Sequence, residues 1–313
     1  IVLPTPNTVS AIRAAQDLGL FVVLTDRAPD AAARPYADRF EAIDATDVGA
    51  ILGLARELDR TLNIVGVHGI ADYAFAAVGA VAAMLNLDLN HPDVYRLCAD
   101  KAACRDRLAG NGVAIARGVH LEDPTKDGDT IDQAVCGFQF PVVVKPARSG
   151  SGQGVVTVRT ANPQALAAAV AEARNYADAA VIEELAVGRH LNVDGLFIGG
   201  TLHPVAITER TFIDDDHHVA SFGVQPADLP SARFDALYAV TEQAGQALGF
   251  SQGPVTCDIV LTKDGPVVLE FSPHYLSLST NAARDDGASI KAWFAYLSGE
   301  ADWQRHLDDE PRG

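Results

Sequence analysis

A loop rich in glycine and serine, from Ser149 to Gly154, separates two runs of β-branched residues near the middle of the chain. The flanking valines predict a strand, a flexible tip and a second strand, so the glycines end a hairpin instead of leading into a helix. Backbone N–H groups of such a tip can cover nucleotide phosphates, and Lys145 on the first strand would add a positive charge. An ordinary exposed hairpin is the alternative. Three glycines and two serines in six residues exceed what a turn requires and favour phosphate binding.

Two acidic residues farther along, Asp258 and Glu270, stand twelve positions apart on two predicted strands that a Lys-Asp-Gly turn joins. Such a hairpin can bring both carboxylates side by side. Mg²⁺ prefers oxygen ligands and commonly uses one or two carboxylates together with substrate phosphates. Solvated acids on a surface hairpin are the alternative. Glu270 directly follows the apolar run Val-Val-Leu, however, and an acid at the edge of a core needs a partner, which a cation would supply.

The elements that position these residues begin with alternating strand and helix patterns in the first hundred residues. The predicted strands are 1–4, 21–25 and 63–67. The predicted helices are 9–18, 48–58 and 72–85. This alternation predicts a parallel, Rossmann-like α/β sheet. Asp26, at the end of its strand, could bind the ribose of a dinucleotide, but the first turn lacks the glycines that a dinucleotide fold uses.

The rest of the chain has a different sequence pattern, in which predicted strands are paired through tight turns. The predicted strands are 140–146, 155–158, 180–184, 190–197, 201–208, 254–261 and 266–271. The predicted helices are 163–174 and 233–248, and a charged helix that carries Lys101 precedes them. The segment 211–222 contains a run of aspartates and histidines without periodicity and is predicted to be a mobile surface loop.

The order of these signals resembles the ATP-grasp superfamily, and within it the carboxylate-amine ligases, over nearly the whole chain. The matching motifs are Asp100-Lys101, the strand Phe-Pro-Val-Val-Val-Lys-Pro, the Ser/Gly hairpin, Glu183-Glu184-Leu185 with Gly188, Asp258, and Leu-Glu-Phe-Ser-Pro. The resemblance implies a mixed α/β and α+β fold: an N-terminal Rossmann-like parallel α/β domain followed by a two-part ATP-grasp unit. We place the N-terminal domain at 1–93, the lid subdomain with its linking helix at 94–182, and the C-terminal subdomain at 183–313.

The same resemblance implies how the phosphates of ATP would be bound. Lys101 and Lys145 would contact them, and the hairpin tip would close over them. The tip residues in this role are Ser149, Gly150, Ser151 and Gly152.

The resemblance also implies an adenine site and a metal site. Glu183, Glu184 and Leu185 would bind adenine largely through backbone groups, and Asp258 and Glu270 would hold Mg²⁺. Because Glu183 and Glu184 are adjacent on a strand, their side chains face opposite sides and at most one of them points into a cleft.

Three positions depart from the family pattern. His190 stands where relatives usually carry an acid for the ribose hydroxyls, although an imidazole can still hydrogen-bond a hydroxyl. Ser272, a weaker neutral metal ligand, stands where they usually carry Asn. His274 stands where many carry an Arg that stabilises the transferred phosphoryl group, and His at pH 7 is mostly neutral. Catalysis is therefore less firmly predicted than ATP binding. Arg210 or Arg284 could replace the missing guanidinium, and each could equally be a surface residue.

The sequence thus predicts an ATP- and Mg²⁺-dependent ligase that joins a small carboxylic acid, such as an amino acid, to an amine through an acylphosphate. This chemistry relies on positioning and electrostatics more than on a protein nucleophile. The catalytic candidates are Arg210 and His274. The substrate-binding candidates are His68, Asp72, Tyr275, Ser277 and Arg284. Two alternatives stay open: an ATP-binding module that has lost turnover, and a kinase that stops at the phosphorylated acid.

Composition limits other classes of function. With 24 basic and 41 acidic residues the net charge is −17, unlike the basic surface of a general nucleic-acid binder. No apolar run reaches the length of a membrane span, and no signal peptide is visible. Four cysteines without C-x-x-C spacing predict buried free thiols and a cytoplasmic protein. The abrupt start at Ile1, inside an apolar run, suggests that residues precede it, and a homodimer is the default assembly.

Overall fold

The computed structural model describes residues 8–69, 71–122, 131, 133–150, 152–212, 220–274 and 288–308. The N-terminal part combines helices with a short parallel pair of strands. Its helices are α1 (Thr8–Asp17), α2 (Val48–Asp59), α3 (Phe75–Leu85) and α4 (Pro92–Cys98). Its strands are β1 (Val23–Thr25) and β2 (Arg39–Glu41), and single 3₁₀ turns occur at Arg34–Tyr36 and Asp72–Ala74.

The N-terminal helices form close to the predicted positions, whereas the strand predicted at 63–67 does not form. Within the described residues β1 pairs with β2 alone, in parallel. A strand needs a hydrogen-bonded neighbour along its length. Residues 63–67 instead line a largely apolar cavity of about 390 Å³ that also borders Val22 and Val23. Among the described residues the parallel sheet therefore has two strands, and the strand predicted at 1–4 lies outside them.

A four-stranded antiparallel sheet follows, in the order β3-β6-β4-β5. Its strands are β3 (Gly118–Leu121), β4 (Val142–Pro146), β5 (Val156–Val158) and β6 (Ala180–Glu184). Helix α5 (Lys101–Gly110) precedes this sheet, and α6 (Pro163–Arg174) packs against it through Leu166 and Val170. The predicted glycine-tipped hairpin is confirmed, because β4 and β5 pair antiparallel with Val142 opposite Val158.

A five-stranded antiparallel sheet forms the C-terminal part, in the order β11-β10-β7-β8-β9. Its strands are β7 (Arg189–Ile198), β8 (Thr201–Phe212), β9 (Ala220–Val224), β10 (Gly253–Thr262) and β11 (Gly265–Ser272). The helices here are α7 (Ser231–Leu248), α8 (Ala288–Leu297) and α9 (Arg305–Asp308). The loop predicted at 211–222 is wrong at both ends, because β8 continues to Phe212 and β9 begins at Ala220. Residues 213–219 lie outside the described part.

Side-chain alternation along these strands separates an apolar face from a polar one. On β7, Leu191 and Val193 join the core that α7 covers, together with the aromatic residues Phe197, Phe250 and Phe271. Asn192 and Asp194 alternate with them and lie on the other face, beside Asp258 of β10. At the far end of this other face, Leu196 packs with α1 and α8 around Trp293. The polar face therefore presents the predicted metal carboxylates.

The structure bears on the predictions about the cysteines and about membrane-spanning segments. Cys98, Cys104 and Cys257 are buried free thiols as predicted, but Cys136 is exposed. Cys136 lies in the turn between α-helical residues and β4, where its neighbour Val135 is the residue that packs into the core while Cys136 faces solvent. None of the helices in the described part of the chain has the length and hydropathy needed to cross a bilayer.

Candidate active site

The two predicted metal carboxylates lie side by side. Asp258 of β10 is the register partner of Glu270 on β11 and of Asn192 on β7. The Asn192 amide donates a hydrogen bond to Asp258 Oδ1. Burial and the neighbouring Glu270 carboxylate raise the pKa of Asp258 to about 7, against the opposing effect of Arg210, whose Nη1 is 3.7 Å from Asp258 Oδ2. Two acids held this closely favour a cation between or beside them.

The donors around Asp258 fit a Mg²⁺ ion that also uses phosphate oxygens. Asn192 Oδ1 is buried and has no hydrogen-bond partner among the described residues, so an oxygen beside the two carboxylates is unsatisfied. Ser272, the third predicted ligand, lies opposite Thr256 at the end of β11. Within the described ranges no group of three or more His, Cys, Asp or Glu side chains could hold a metal. A hard cation here would therefore need ligands from outside the chain, as Mg²⁺ commonly does.

Lys101 lies at the start of α5, where the carboxylate of Asp100 caps the helix by accepting a hydrogen bond from the Ala103 backbone N–H. Its Nζ is 2.9 Å from Glu270 Oε1 and donates to the carbonyl oxygen of Ser149 at 2.6 Å. Burial acts to lower the pKa of Lys101, but the Glu270 carboxylate outweighs it, so this pKa is raised. The lysine therefore stays charged while it links the glycine-tipped hairpin to Glu270, one of the two predicted metal carboxylates.

Lys145 belongs to a buried group of three charges. Its Nζ is 2.6 Å from Glu183 Oε2, and the guanidinium of Arg105 binds the other oxygen of the same carboxylate. Arg105 also donates to the Ala116 carbonyl oxygen at 2.7 Å. All three charged side chains are buried. Arg105 is a functional candidate that the sequence did not predict. Its position one turn after Lys101, on the same helix face, is the signal that could have found it.

Glu184 faces the opposite side of β6 from Glu183, as strand alternation predicts. Its carboxylate accepts a hydrogen bond from the Gln139 backbone N–H at 3.0 Å and lies 3.4 Å from Arg117. The backbone N–H of Leu185 donates to the Pro141 carbonyl oxygen. Of the two glutamates, only Glu183 reaches the lysine side.

His190 and Arg210 lie near each other at one end of the polar face. The His190 ring meets the Phe212 ring edge-on, with 4.8 Å between centroids, and the Arg210 guanidinium lies 5.7 Å from the same ring. Arg210 thus reaches from this end of the sheet toward Asp258. Of the two arginines that the sequence offered as a replacement for the missing guanidinium, Arg210 is the one within the described residues.

Asp72 and His274, predicted to bind substrate and to act in catalysis, contact each other although they are 202 positions apart. His274 Nε2 is 3.2 Å from Asp72 Oδ1, and its ring packs 5.8 Å from that of Phe75. Burial acts to raise the pKa of Asp72, but the His274 hydrogen bond together with the charges of His274 and Lys101 outweighs it, so this pKa is lowered. A Cβ on Gly150 would lie 3.5 Å from Asp72 Oδ2, so the hairpin tip approaches this pair.

The remaining predicted residues are His68, the hairpin tip and four residues that the structure does not describe. His68 is buried against Phe294, with 5.8 Å between ring centroids, and burial lowers its pKa to about 3, so it is neutral in the folded chain. At the hairpin tip, Ser149 Oγ donates to Gln153 O, and Gly152 has the left-handed φ of 72° that glycine adopts readily. The others lie outside the described residues: Ser151, Tyr275, Ser277 and Arg284.

The two antiparallel sheets, with a glycine-tipped hairpin and lysines on one side and acids on the other, define an ATP-grasp protein. Residues 109–273, just over half of the chain, match the family model described as "D-ala D-ala ligase C-terminus", and the chain belongs to this family. A D-alanine--D-alanine ligase of Syntrophotalea carbinolica is 26% identical over 251 residues, which are 73% of this chain and 74% of that protein. The chain spans about half the length of most of the other curated relatives that it matches.

Solved structures share the fold at low identity. The L-amino acid ligase from Bacillus licheniformis has a TM-score of 0.78 at 19% identity, over 97% of this chain and 75% of that one. The N5-carboxyaminoimidazole synthetase from Staphylococcus aureus, solved with ADP, has a TM-score of 0.79 at 15% identity, over 96% and 76% of the two chains. These similarities establish the ATP-grasp architecture.

Proposed function

We propose that this protein is an ATP- and Mg²⁺-dependent ligase that forms an amide bond between a small carboxylic acid, such as an amino acid, and an amine. The observation that carries the proposal is the contact between Lys101 and Glu270 at 2.9 Å. It brings a lysine that can bind phosphate next to a carboxylate that can bind a metal ion. A metal-bound triphosphate has the charges to take both partners, with phosphate oxygens on the lysine and the metal on the acid.

In this proposal the chain binds ATP between its two sheets. Lys101 and Lys145 bind the phosphates as point charges, and backbone N–H groups of the hairpin tip complete their coordination. The tip residues assigned to this role are Ser149, Gly150, Ser151 and Gly152. The adenine is assigned to backbone groups of Glu183, Glu184 and Leu185, and the ribose to His190. A tip that closes over the phosphates also keeps water from the reacting atoms.

Asp258, Glu270 and Ser272 are assigned to the Mg²⁺ site, and Asn192 is added because its buried Oδ1 lies beside Asp258. When bound, Mg²⁺ would supply neutralisation of the charge that develops on the transferred phosphoryl group. Arg210 reaches Asp258, and His274 is held by Asp72, which belongs to the N-terminal part of the chain. Both are assigned to the charge that builds up during transfer.

The reaction proceeds in two displacements. An oxygen of the substrate carboxylate attacks the γ-phosphorus, and the bond between that phosphorus and the ADP oxygen breaks, giving an acylphosphate and ADP. The amine nitrogen then attacks the carbonyl carbon, the bond from carbon to the phosphate oxygen breaks, and the amine loses a proton. His68, Asp72, Tyr275, Ser277 and Arg284 remain the substrate-side candidates, with His68 acting only as a neutral group.

One observation favours a second candidate, an ATP-binding module without turnover. His274 takes the place of an arginine and is already engaged by Asp72, so the strongest expected catalytic cation is absent from its position. This module would close on ATP and show no co-substrate dependence.

The experiment measures ADP formation from ATP and Mg²⁺ in the presence of pooled amino acids, with mass spectrometry of the products. Substrate-dependent ADP together with a new amide mass, shifted by the loss of one water from the paired substrates, supports the ligase. Saturable ATP binding with no ADP above background supports the module. ADP formation with one acid alone, and hydroxamate on addition of hydroxylamine, indicates a carboxylate kinase. If ATP does not bind with Mg²⁺ present, the proposal is wrong.

A further inference from the structure

Arg105 is a buried cation that the phosphate-binding role of the lysines does not by itself require. It lies on α5 one turn after Lys101, and it binds one oxygen of Glu183 while Lys145 binds the other. Its remaining contact is with a backbone carbonyl oxygen, that of Ala116. The guanidinium therefore makes no described contact with the carboxylates of the metal site.

The charges in this group do not balance in pairs. Lys145 and Glu183 alone would form a neutral pair, and a neutral pair attracts a triphosphate weakly. With Arg105 included, the group of three carries one net positive charge. Because all three side chains are buried, solvent screens this charge less than it would at a surface.

We propose that Arg105 is a positioning residue that sets the charge of the phosphate site: it takes up the charge of Glu183 and so leaves the charge of Lys145 available to ATP. Glu183 holds the lysine ammonium in place, and Arg105 prevents this contact from cancelling the lysine charge. The inference rests on the proposed ATP binding and adds to it a residue outside the predicted site.

Arg105 is suited to this task by geometry as well as by charge. A guanidinium presents several N–H donors in a fixed plane, so it can bind a carboxylate oxygen and a backbone carbonyl at once. The carbonyl of Ala116 lies just before β3, which pairs with β6 next to Glu183. Arg105 thus connects α5 to the strand that carries the carboxylate, and it fixes the side-chain position of Glu183 relative to Lys145.

The test is a charge-balance cycle read by ATP binding in calorimetry with Mg²⁺ present. Arg105→Met removes the compensating charge at similar volume, and we expect its Kd for ATP to rise about tenfold or more. Glu183→Gln alone leaves both cations uncompensated and is expected to bind ATP at least as tightly as the wild type. The double variant Arg105→Met/Glu183→Gln restores the original net charge, so its Kd should return to within about threefold of wild type.

The matched control is Arg107→Met, the same substitution at an exposed position of the same helix, and its Kd should be unchanged. If Arg105 acts only through packing, the double variant will bind ATP no better than Arg105→Met, and that result overturns the inference. Unchanged binding in Arg105→Met also overturns it while leaving the proposed function intact. Absence of ATP binding in the wild type overturns both.

Folding is monitored by thermal unfolding of each variant. Arg105→Met leaves Glu183 buried with one partner, whereas the double variant leaves no carboxylate in this group and serves if the single variant does not fold. In that case, double-variant binding within about threefold of wild type supports the inference, and a loss of about tenfold or more overturns it.

Discussion

The two sides of the proposed ATP site handle their carboxylates in opposite ways. On one side Glu183 is shared between Lys145 and Arg105, so the single acid is outnumbered by cations. On the other side Asp258 and Glu270 lie together, and the pKa of Asp258 is raised to about 7 because burial and Glu270 both disfavour its charge. We call the first group the cationic wall and the second the acidic wall. The cationic wall carries one net positive charge, whereas each acid of the acidic wall has one cationic neighbour, Lys101 at Glu270 and Arg210 at Asp258, and no surplus of positive charge.

This difference indicates that the walls have different roles. A buried acid with two cationic partners gives a fixed arrangement that a ligand can join without removing any partner. Two neighbouring acids with an unsatisfied amide oxygen gain stability when a cation arrives. Lys101 joins the walls, since it contacts Glu270 while Arg105 on the same helix contacts Glu183. Variants in each wall can test whether the cationic wall governs ATP binding and the acidic wall governs Mg²⁺-dependent turnover.

Removing an acid from the acidic wall should have the largest effect. We expect Glu270→Gln to lower Mg²⁺-dependent turnover of ATP by about 100-fold, roughly 3 kcal/mol of transition-state stabilisation, because the metal loses a charged ligand. ADP formation across a Mg²⁺ titration measures it, with the exposed Glu172→Gln as control. A variant with wild-type turnover and wild-type Mg²⁺ dependence would remove Glu270 from the metal site.

Removing the lysine of the cationic wall should act mainly on binding. We expect Lys145→Ala to weaken ATP binding by about 30-fold, roughly 2 kcal/mol, because a buried charge-assisted contact to phosphate is lost. Turnover at saturating ATP should fall much less than in Glu270→Gln. Calorimetry of ATP binding measures the change, and Lys263→Ala, on the exposed β10–β11 turn, is the control. Equal losses of binding and turnover in both wall variants would show that the walls do not act separately.

His68, which lies outside both walls, should make the folded chain less stable in acid. Burial lowers the pKa of His68 from its usual 6.5 to about 3, so the folded chain keeps this side chain neutral while the unfolded chain binds a proton below pH 6.5. Above pH 6.5 this histidine therefore does not lower the free energy of unfolding. As the pH falls from 6.5 toward 3 the unfolded chain alone takes up the proton, and the free energy of unfolding drops, by about 2 kcal/mol at pH 5. Urea unfolding at pH 7.5 and pH 5 measures it. His68→Leu should lose less stability than wild type between these two pH values, and an identical loss would contradict a neutral buried His68.

The smallest effect is expected from the other glutamate on β6. Glu184 lies on the opposite side of the strand, in contact with Arg117, so Glu184→Gln should change the Kd for ATP by less than about twofold, under roughly 0.5 kcal/mol. The comparison is made with Glu183→Gln in the same calorimetric assay. A larger effect of Glu184 than of Glu183 would mean that the cationic wall is assigned to the wrong face.

Short-range spacing allowed much of the site to be predicted from the sequence. Strand alternation separates Glu183 from Glu184, and a tight turn between two apolar runs brings Asp258 beside Glu270. The hairpin follows from the β-branched runs on both sides of the glycines. These features depend on a few neighbouring residues, so local preferences decide them.

Contacts between distant segments could not be predicted in this way. Nothing local to Asp72 indicates that it meets His274, and nothing near Glu183 indicates that Arg105 of α5 reaches it. The strand predicted at 63–67 had a suitable apolar run, but pairing partners decide whether such a run becomes a strand. The domain limits at 1–93, 94–182 and 183–313 stay a prediction.

The last hairpin contains a bulge next to Glu270. Asp258 pairs with Glu270 but the next residue of β10, Ile259, pairs with Val268, so Leu269 is the extra residue. Val268 and Phe271 are thereby both buried although they are three apart, while Glu270 between them stays on the polar face. Deleting Leu269 would restore a regular ladder in which Val268 directly precedes Glu270, and because adjacent strand residues face opposite sides, Val268 would stay in the core and Glu270 on the polar face. Loss of this one uncharged side chain would therefore remove the local bend and extra twist without exchanging the two faces, so the bulge affects how the Glu270 carboxylate is aimed and not which side of the sheet it occupies.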